Sequence, residues 1–143
     1  MIKYSDKLVL RANELYFNLV EGDYEHSTDE ILILEPSRWK IMIEKLIAII
    51  PIKKRIVLDV GSGNGFVATA LCPYLNEKDE FICLDVSSKM LDRCRLNLSS
   101  RGFSCRLAYK QYNGTRLPFE NESVDIITLN SVLHHIFNHD IFL

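Results

Sequence analysis

The sequence predicts an α/β protein built on a doubly wound, mainly parallel sheet. Three observations point there. From residue 55 onward, short apolar runs alternate with amphipathic helical stretches, the rhythm of repeated strand–helix units. The runs are continuously apolar, as in strands buried on both faces. The first run leads straight into a glycine-rich turn and a helix.

Two helices precede the first strand. Residues 5–20 carry Leu8, Val9, Ala12, Leu15, Tyr16, Leu19 and Val20 on one helical stripe, with Ser5 as N-cap and Gly22 past the end. Residues 21–30 are polar and acidic, a loop carrying Tyr24 and His26. The second helix starts near Pro36, which suits a first turn, runs through Trp39, Met42, Ile43, Leu46, Ile47 and Ile50, and stops at Pro51. Residues 1–50 thus form a helical cap segment, and residues 51–143 the domain it lies on.

In that domain the first strand spans 56–60, followed by the glycine turn and a helix over 66–75. The second strand spans 80–85. A helix begins after Ser87-Ser88, either of which can cap it. Met90, Leu91, Cys94 and Leu98 form its inner face, and Gly102 stops it. A third strand is expected over 103–109, a fourth over 124–130, and a helix from near Leu133. The fourth strand is then an unprotected edge, open to a second copy or a partner chain.

Composition narrows the functions. A chain of 143 residues is one domain by default, and 48% hydrophobic with 25% charged residues is ordinary for a globular protein. With net charge -2 and no basic run longer than Lys53-Lys54-Arg55, nothing favours capture of nucleic acid or an anionic membrane. No stretch approaches the ~18 apolar residues of a membrane span, and the N-terminus lacks a signal-peptide core. The chain reads as cytoplasmic. Cys72, Cys83, Cys94 and Cys105 recur every eleven residues. Zinc sites usually bring two ligands closer than that, so the spacing reads as chance among reduced thiols on different elements.

Four blocks carry the chemistry. The first is Asp59-Val60-Gly61-Ser62-Gly63-Asn64-Gly65 between strand and helix. Its glycines allow close backbone approach, and the helix start offers free N–H groups. A dinucleotide fingerprint wants a small residue where Phe66 stands, and a P-loop wants a Lys-Ser/Thr pair that is absent. The turn therefore suits a cofactor without phosphates. The second block is Asp85, ending the second strand. A carboxylate there can accept both hydroxyls of a ribose, or cap the next helix. Val86 and Met90 beside it could flank an adenine, or simply pack in the core. The third is Tyr112-Asn113-Gly114-Thr115-Arg116-Leu117-Pro118-Phe119, in which Asn113 either accepts from an adenine amino group or forms a plain Asn-Gly turn. The fourth is the strand ending Thr128-Leu129-Asn130, then Ser131-Val132-Leu133-His134-His135, at the switch point where such sheets bind ligands. The two histidines, with His139 and Asp140, lack the spacing of a ligand set, and no metal is expected.

In order and spacing these blocks resemble class I S-adenosylmethionine-dependent methyltransferases, over residues 55–136. Asp59, Gly61, Gly63 and Gly65 match the family's acidic residue and Gly-x-Gly-x-Gly. Asp85 matches its ribose-binding acid. Asn113 stands where the family usually has Asp, keeping the acceptor and losing the charge. The Leu-Pro-Phe run and the Leu-His-His ending resemble the small-molecule members, such as those acting on quinones or sterols. The resemblance implies a Rossmann-like domain, C-terminally truncated to about four strands. It implies S-adenosylmethionine as cofactor, held by Asp59, Gly61, Ser62, Gly63, Asp85, Val86, Asn113, Gly114 and Asn130. It implies methyl transfer to a small-molecule acceptor by in-line displacement, a reaction that positioning alone can promote strongly. In that subgroup the N-terminal helices cap the cofactor, making Tyr16, Tyr24 and Arg38 the candidates to reach its methionyl group. No catalytic residue is assigned; His134 and Tyr24 are the candidates for a base, if one is needed. The alternatives are a cofactor-binding remnant without turnover, and an interaction subunit that completes its sheet with a partner.

Overall fold

A computed structural model describes residues 6–20, 36–49 and 54–136. Helices α1 (Asp6–Val20) and α2 (Pro36–Ile49) come first. Strand β1 (Ile56–Val60), helix α3 (Phe66–Leu71), strand β2 (Glu80–Asp85), helix α4 (Ser88–Ser99), and strands β3 (Arg106–Gln111) and β4 (Ile126–Leu129) follow. The strands pair in the order β3-β2-β1-β4, all parallel. This is the doubly wound arrangement expected: the chain steps outward from β1 through β2 to β3, then returns to the other side of β1.

The register is set at the bottom of the sheet by a buried ion pair. Arg55 Nη2 lies 2.7 Å from Asp79 Oδ2, and Arg55 Nε donates to Oδ1 at 3.1 Å. The Asp79 carboxylate also accepts the backbone N–H groups of Arg55 and Asn76. Around it, Glu80 N donates to Arg55 O and Arg106 N to Asp79 O, so β1, β2 and β3 all start from one knot. Burial alone would raise the Asp79 pKa; the Arg55 guanidinium and the amide donors outweigh it and hold it below the usual value. On the other side, Asp125 N donates to Ile56 O and Ile56 N to Asp125 Oδ2, which starts β4.

Helices cover one face of the sheet. Phe66, Val67 and Leu71 of α3, Leu91, Cys94 and Leu98 of α4, and Ile43 of α2 enclose Val57, Phe81 and Cys83. On the other face Leu58, Val60, Ile82 and Leu84 are covered by Tyr112, Leu117, Phe119 and Val124 of the β3–β4 connection. A right-handed crossover that reverses direction must pass over the opposite face. Here that passage carries no helix. It is fastened instead by Lys110, whose ammonium donates to Pro118 O at 3.2 Å and sits 4.9 Å from the Phe119 ring centroid.

Several boundaries differ from the sequence reading, each for a local reason. Helix α3 ends at Leu71 and tightens into a 3₁₀ turn, Cys72–Tyr74, because Pro73 has no N–H to continue it. Strand β3 begins at Arg106, where the bond to Asp79 O starts the ladder, and extends to Gln111. Strand β4 is confined to four residues, and the helix expected near Leu133 is one 3₁₀ turn, Leu133–His135. Ser87, not Ser88, caps α4, accepting from Met90 N at 3.1 Å. Of the expected α1 stripe, Leu15, Tyr16 and Leu19 are exposed, and the side chains of Leu8, Val9 and Val20 lie outside the described residues. The inward face is Leu10, Asn13 and Phe17, whose polar member hid it from an apolar count. The four cysteines, read as unrelated, are all buried without a disulfide, and the Cys83 and Cys94 sulfurs lie 3.6 Å apart. Among the described residues no cluster is disposed to hold a metal ion, and no helix is long and apolar enough to cross a membrane.

The knot at Arg55 makes a stability prediction. Arg55→Met leaves a buried carboxylate without its cation and should cost about 3–5 kcal/mol. The double variant Arg55→Met/Asp79→Leu, which removes both charges, should recover most of that loss. Urea denaturation of the three proteins at neutral pH measures both.

Candidate functional site

The site lies at the carboxyl ends of β1, β2 and β4, beside the point where strand order reverses. The glycine turn is stitched to β2: Gly61 N and Ser62 N both donate to Leu84 O, at 2.7 and 3.0 Å. Gly61 has φ +67°, and a Cβ there would lie 2.2 Å from Val132 Cγ2, so no side chain fits without displacing the segment after β4. Gly65 caps α3 at φ +92°, where a Cβ would meet Cys94 Sγ at 3.0 Å and Leu98 just beyond. The last glycine thus serves close packing between α3 and α4.

Asp85 joins the two turns. Its Oδ2 accepts from Gly63 N and its Oδ1 from Ser87 N, both at 2.9 Å. The carboxyl is 6% exposed and lies on the wall of the cavity. Burial raises its pKa, and the amide donors at Ser87, Gly63 and Val86 partly offset the rise. Each carboxylate oxygen keeps a lone pair for a further donor.

Six residues expected to touch a cofactor line one cavity: Gly61, Gly63, Asp85, Val86, Gly114 and Asn130. Met90, considered as an adenine neighbour, lines it too. The other three do not. Asn113 faces an adjoining outer groove, and its Oδ1 accepts from Thr115 N at 3.1 Å and from Thr115 Oγ1 at 2.6 Å. In this structure the Asn113 side chain is engaged in that local turn. Asp59 and Ser62 sit beneath the glycine turn, 1% and 5% exposed. Asp59 Oδ1 accepts from Thr128 Oγ1 at 2.6 Å, while Asp59 Oδ2 and Ser62 Oγ have no hydrogen-bond partner among the described residues. Burial pushes the Asp59 pKa up to about 7; the Thr128 bond opposes the shift and the Asp85 charge adds to it.

The remaining wall combines residues of the third and fourth sequence blocks with others, on α1 and at Ile136, that the sequence did not single out. Leu10, Asn13 and Phe17 enter from α1, Tyr112 from the end of β3, and Val132, His135 and Ile136 from the segment after β4. Helix α1 touches all three neighbouring turns. Asn18 Oδ1 accepts from Ser87 Oγ, Leu10 packs on Gly114, and Asn13 Nδ2 donates to His135 O at 3.0 Å. Phe17 lies edge-on to the His135 ring, centroids 5.2 Å apart. Of the candidates for the methionyl end, Tyr16 is 57% exposed and outside the wall. Tyr24 and the Arg38 side chain lie outside the described residues, as do His139 and Asp140. Of the two histidines, His135 rather than His134 lines the cavity.

A parallel sheet with a glycine turn, a strand-end acid and a crevice at its switch point defines a Rossmann-like cofactor-binding domain. Residues 57–142, more than half of the chain, match the family model described as a methyltransferase domain, and the chain belongs to that family, the class I S-adenosylmethionine-dependent methyltransferases. It is 32% identical over 84 residues to a ubiquinone/menaquinone biosynthesis C-methyltransferase of Shewanella sp. (strain ANA-3), covering 59% of this chain and 34% of that protein. A protein of the same name from Wigglesworthia glossinidia brevipalpis is 28% identical over 114 residues, 80% of this chain and 45% of that one. The chain thus spans a third to under half of the length of these relatives. Among solved structures, it superposes on magnesium protoporphyrin IX methyltransferase from Synechocystis PCC 6803 with bound S-adenosylmethionine at TM-score 0.68 and 16% identity, covering 94% of this chain and 66% of that one. A methyltransferase from Aquifex aeolicus gives TM-score 0.56 at 22% identity, over 73% and 61% of the two chains. At these identities the superpositions speak to the fold.

Asp59 gives a pH prediction. A carboxyl whose folded pKa, about 7, lies above its unfolded value binds more protons folded than unfolded. Its contribution is fully present below the unfolded pKa and is lost as pH rises to about 7. Asp59→Asn, which keeps an acceptor for Thr128 and cannot ionise, should therefore be more stable than wild type at pH 8, by roughly 1–3 kcal/mol. The advantage should vanish near pH 4. Thermal melts across that range check the sign and the window.

Proposed function

We propose that the chain binds S-adenosylmethionine in the crevice over β1, β2 and β4, as the cofactor-binding part of an enzyme that methylates a small molecule. The observation carrying this reading is the Asp85 carboxylate, fixed by the Gly63 and Ser87 amides on the wall of a cavity floored by Gly61 and Gly63. A nucleoside fits that chemistry: Asp85 offers acceptors to ribose hydroxyls, Val86 and Met90 offer apolar surface to a base, and the glycines admit a chain close to the backbone. Asn130, at the end of β4, extends polar contacts toward the other end of the crevice. Among the described residues no Lys or Arg lines the cavity, which favours a cofactor without phosphates.

When bound, such a cofactor supplies a methyl group already activated on a sulfonium. The residues here would bind and orient it and exclude water through the α1 cap. A small-molecule acceptor is supported by the net charge of -2 and by relatives named for quinone biosynthesis and for magnesium protoporphyrin IX. Four buried thiols without a disulfide fit a reducing, cytoplasmic compartment.

Titration calorimetry tests the reading. S-adenosylmethionine and S-adenosylhomocysteine should both bind, and ATP and NADH should not. Asp85→Ala should weaken binding at least tenfold, since hydrogen bonds to a charged group are worth about 1.5–3 kcal/mol, with circular dichroism confirming that the variant folds. No heat at millimolar cofactor would sink the proposal.

A further inference from the structure

The cavity beside Asp85 is too small to hold a nucleoside by itself. Its volume is about 70 Å³, against roughly 300 Å³ at the lower end for small-molecule pockets. The outer groove next to it is far larger, about 990 Å³. Three residues line both spaces: Leu10, Val86 and Tyr112. The chain after β3 runs along the same boundary. Asn113 and Thr115 line the groove, and Gly114 between them lines the cavity. At Gly114 the boundary is closed by direct contact. A Cβ there would lie 2.6 Å from Leu10 Cδ2 and 3.2 Å from Val86 Cγ1.

Of the three shared residues, Leu10 is the one free to move. Val86 sits between Asp85 and Ser87, which are bonded to each other, and its carbonyl accepts from Gln111 Nε2 at 2.8 Å. Tyr112 N donates to Asp85 O at 3.1 Å, and its side chain packs against the core on that face of the sheet. Leu10 comes instead from α1, whose hydrogen bonds to the neighbouring turns are made by Asn13 and Asn18. Its side chain can pass from one staggered rotamer to another without breaking a polar bond.

We propose that Leu10 is a displaceable partition within a single binding site. With its side chain on Gly114 the cavity is sealed from the groove. When the side chain turns aside the two spaces join. On the cofactor reading above, on which this rests, the ribose then stays at Asp85 and the base takes the place of the leucyl group against Val86 and Gly114. Asn113 and Thr115, on the wall of the groove, border the base. The exchange is close to balance, because the base covers the apolar surface that Leu10 gives up. Gly114 matters to it as well: without a Cβ, its backbone offers a flat surface to whichever group lies there.

Magnetic resonance on the whole chain tests the partition directly. In the free protein the Leu10 methyl protons should show nuclear Overhauser contacts to the Gly114 α-protons. Saturating adenosine, which carries only base and ribose, should abolish them and introduce contacts from the base protons to Gly114 and Val86. Calorimetry supplies a second readout. Leu10→Ala, in which the partition is already removed, should bind adenosine and S-adenosylhomocysteine several-fold more tightly than wild type, with circular dichroism confirming that it folds. A residue that merely walls the site would give the opposite sign, since truncating it removes a contact. A Leu10–Gly114 contact that persists with adenosine bound would overturn the proposal and leave the cofactor reading intact. Unchanged or weaker binding by a folded Leu10→Ala would do the same. Absence of binding by both proteins would refute the cofactor reading, and the partition with it.

Discussion

The geometry of the crevice depends on the knot formed by Arg55 and Asp79 at the opposite end of the sheet. Side chains alternate along a strand, so a slip of one residue between β1 and β2 would turn every side chain of one strand to the wrong face. The knot prevents the slip by fixing Arg55 against Asp79 and Ile56 opposite Glu80. From that start the ladder runs to Val60 opposite Leu84. The next residues are the glycine turn on one strand and Asp85 on the other, which brings Gly63 N within 2.9 Å of the carboxylate. A buried pair of this kind is a weak source of net stability, since desolvation offsets most of its attraction. Its value here is positional. It converts a sheet that could align several ways into one that aligns a carboxylate with a particular amide.

The second constraint is the reversal of strand order. Because β4 returns beside β1, the turns after β1 and β4 diverge and leave a crevice between them. The β3–β4 connection crosses without a helix, so that face of the sheet is closed by loop side chains such as Leu117 and Phe119. Helix α1 then bridges the turns after β2, β3 and β4 at one end of the sheet. The crevice therefore has a rigid floor built on parallel strands and a roof held by a handful of side chains. Regions of low contact density are the ones that open locally.

The floor was legible in the sequence; the roof was expected as a helical cap, but its inward face was not legible. Strands β1 and β2 are short, buried apolar runs, and both fall where periodicity places them. The glycine turn and Asp85 were legible because their chemistry is local: strand, turn and helix are contiguous, and the acid ends the next strand. Long-range pairings left no such mark. Arg55 and Asp79 are twenty-four residues apart and look like two ordinary surface charges until the sheet brings them together. On α1, Leu10, Asn13 and Phe17 have helical spacing, yet Asn13 breaks the apolar pattern, and its bond to His135 O spans 122 residues. The other arc, with Leu15, Tyr16 and Leu19, is more apolar and is the one left exposed. The Asn113 side chain, two residues before a threonine, closes a local turn, a bond that spacing alone offered as one of two readings.

The two buried carboxyl groups near the turn illustrate how environment separates residues that sequence treats alike. Asp59 lies one residue before the end of β1 and Asp85 ends β2, beside a glycine-rich and a serine-rich turn. Asp85 receives two backbone amides and keeps an accepting edge on the cavity wall. Asp59 receives one hydroxyl, leaves an oxygen without a partner among the described residues, and lies under the turn next to Cys83 in the register. Burial therefore pushes the Asp59 pKa up to about 7. That leaves Asp85 as the acid placed to receive donors from a ligand. On this geometry Asp85, and not Asp59, is the carboxyl that a molecule in the crevice would meet.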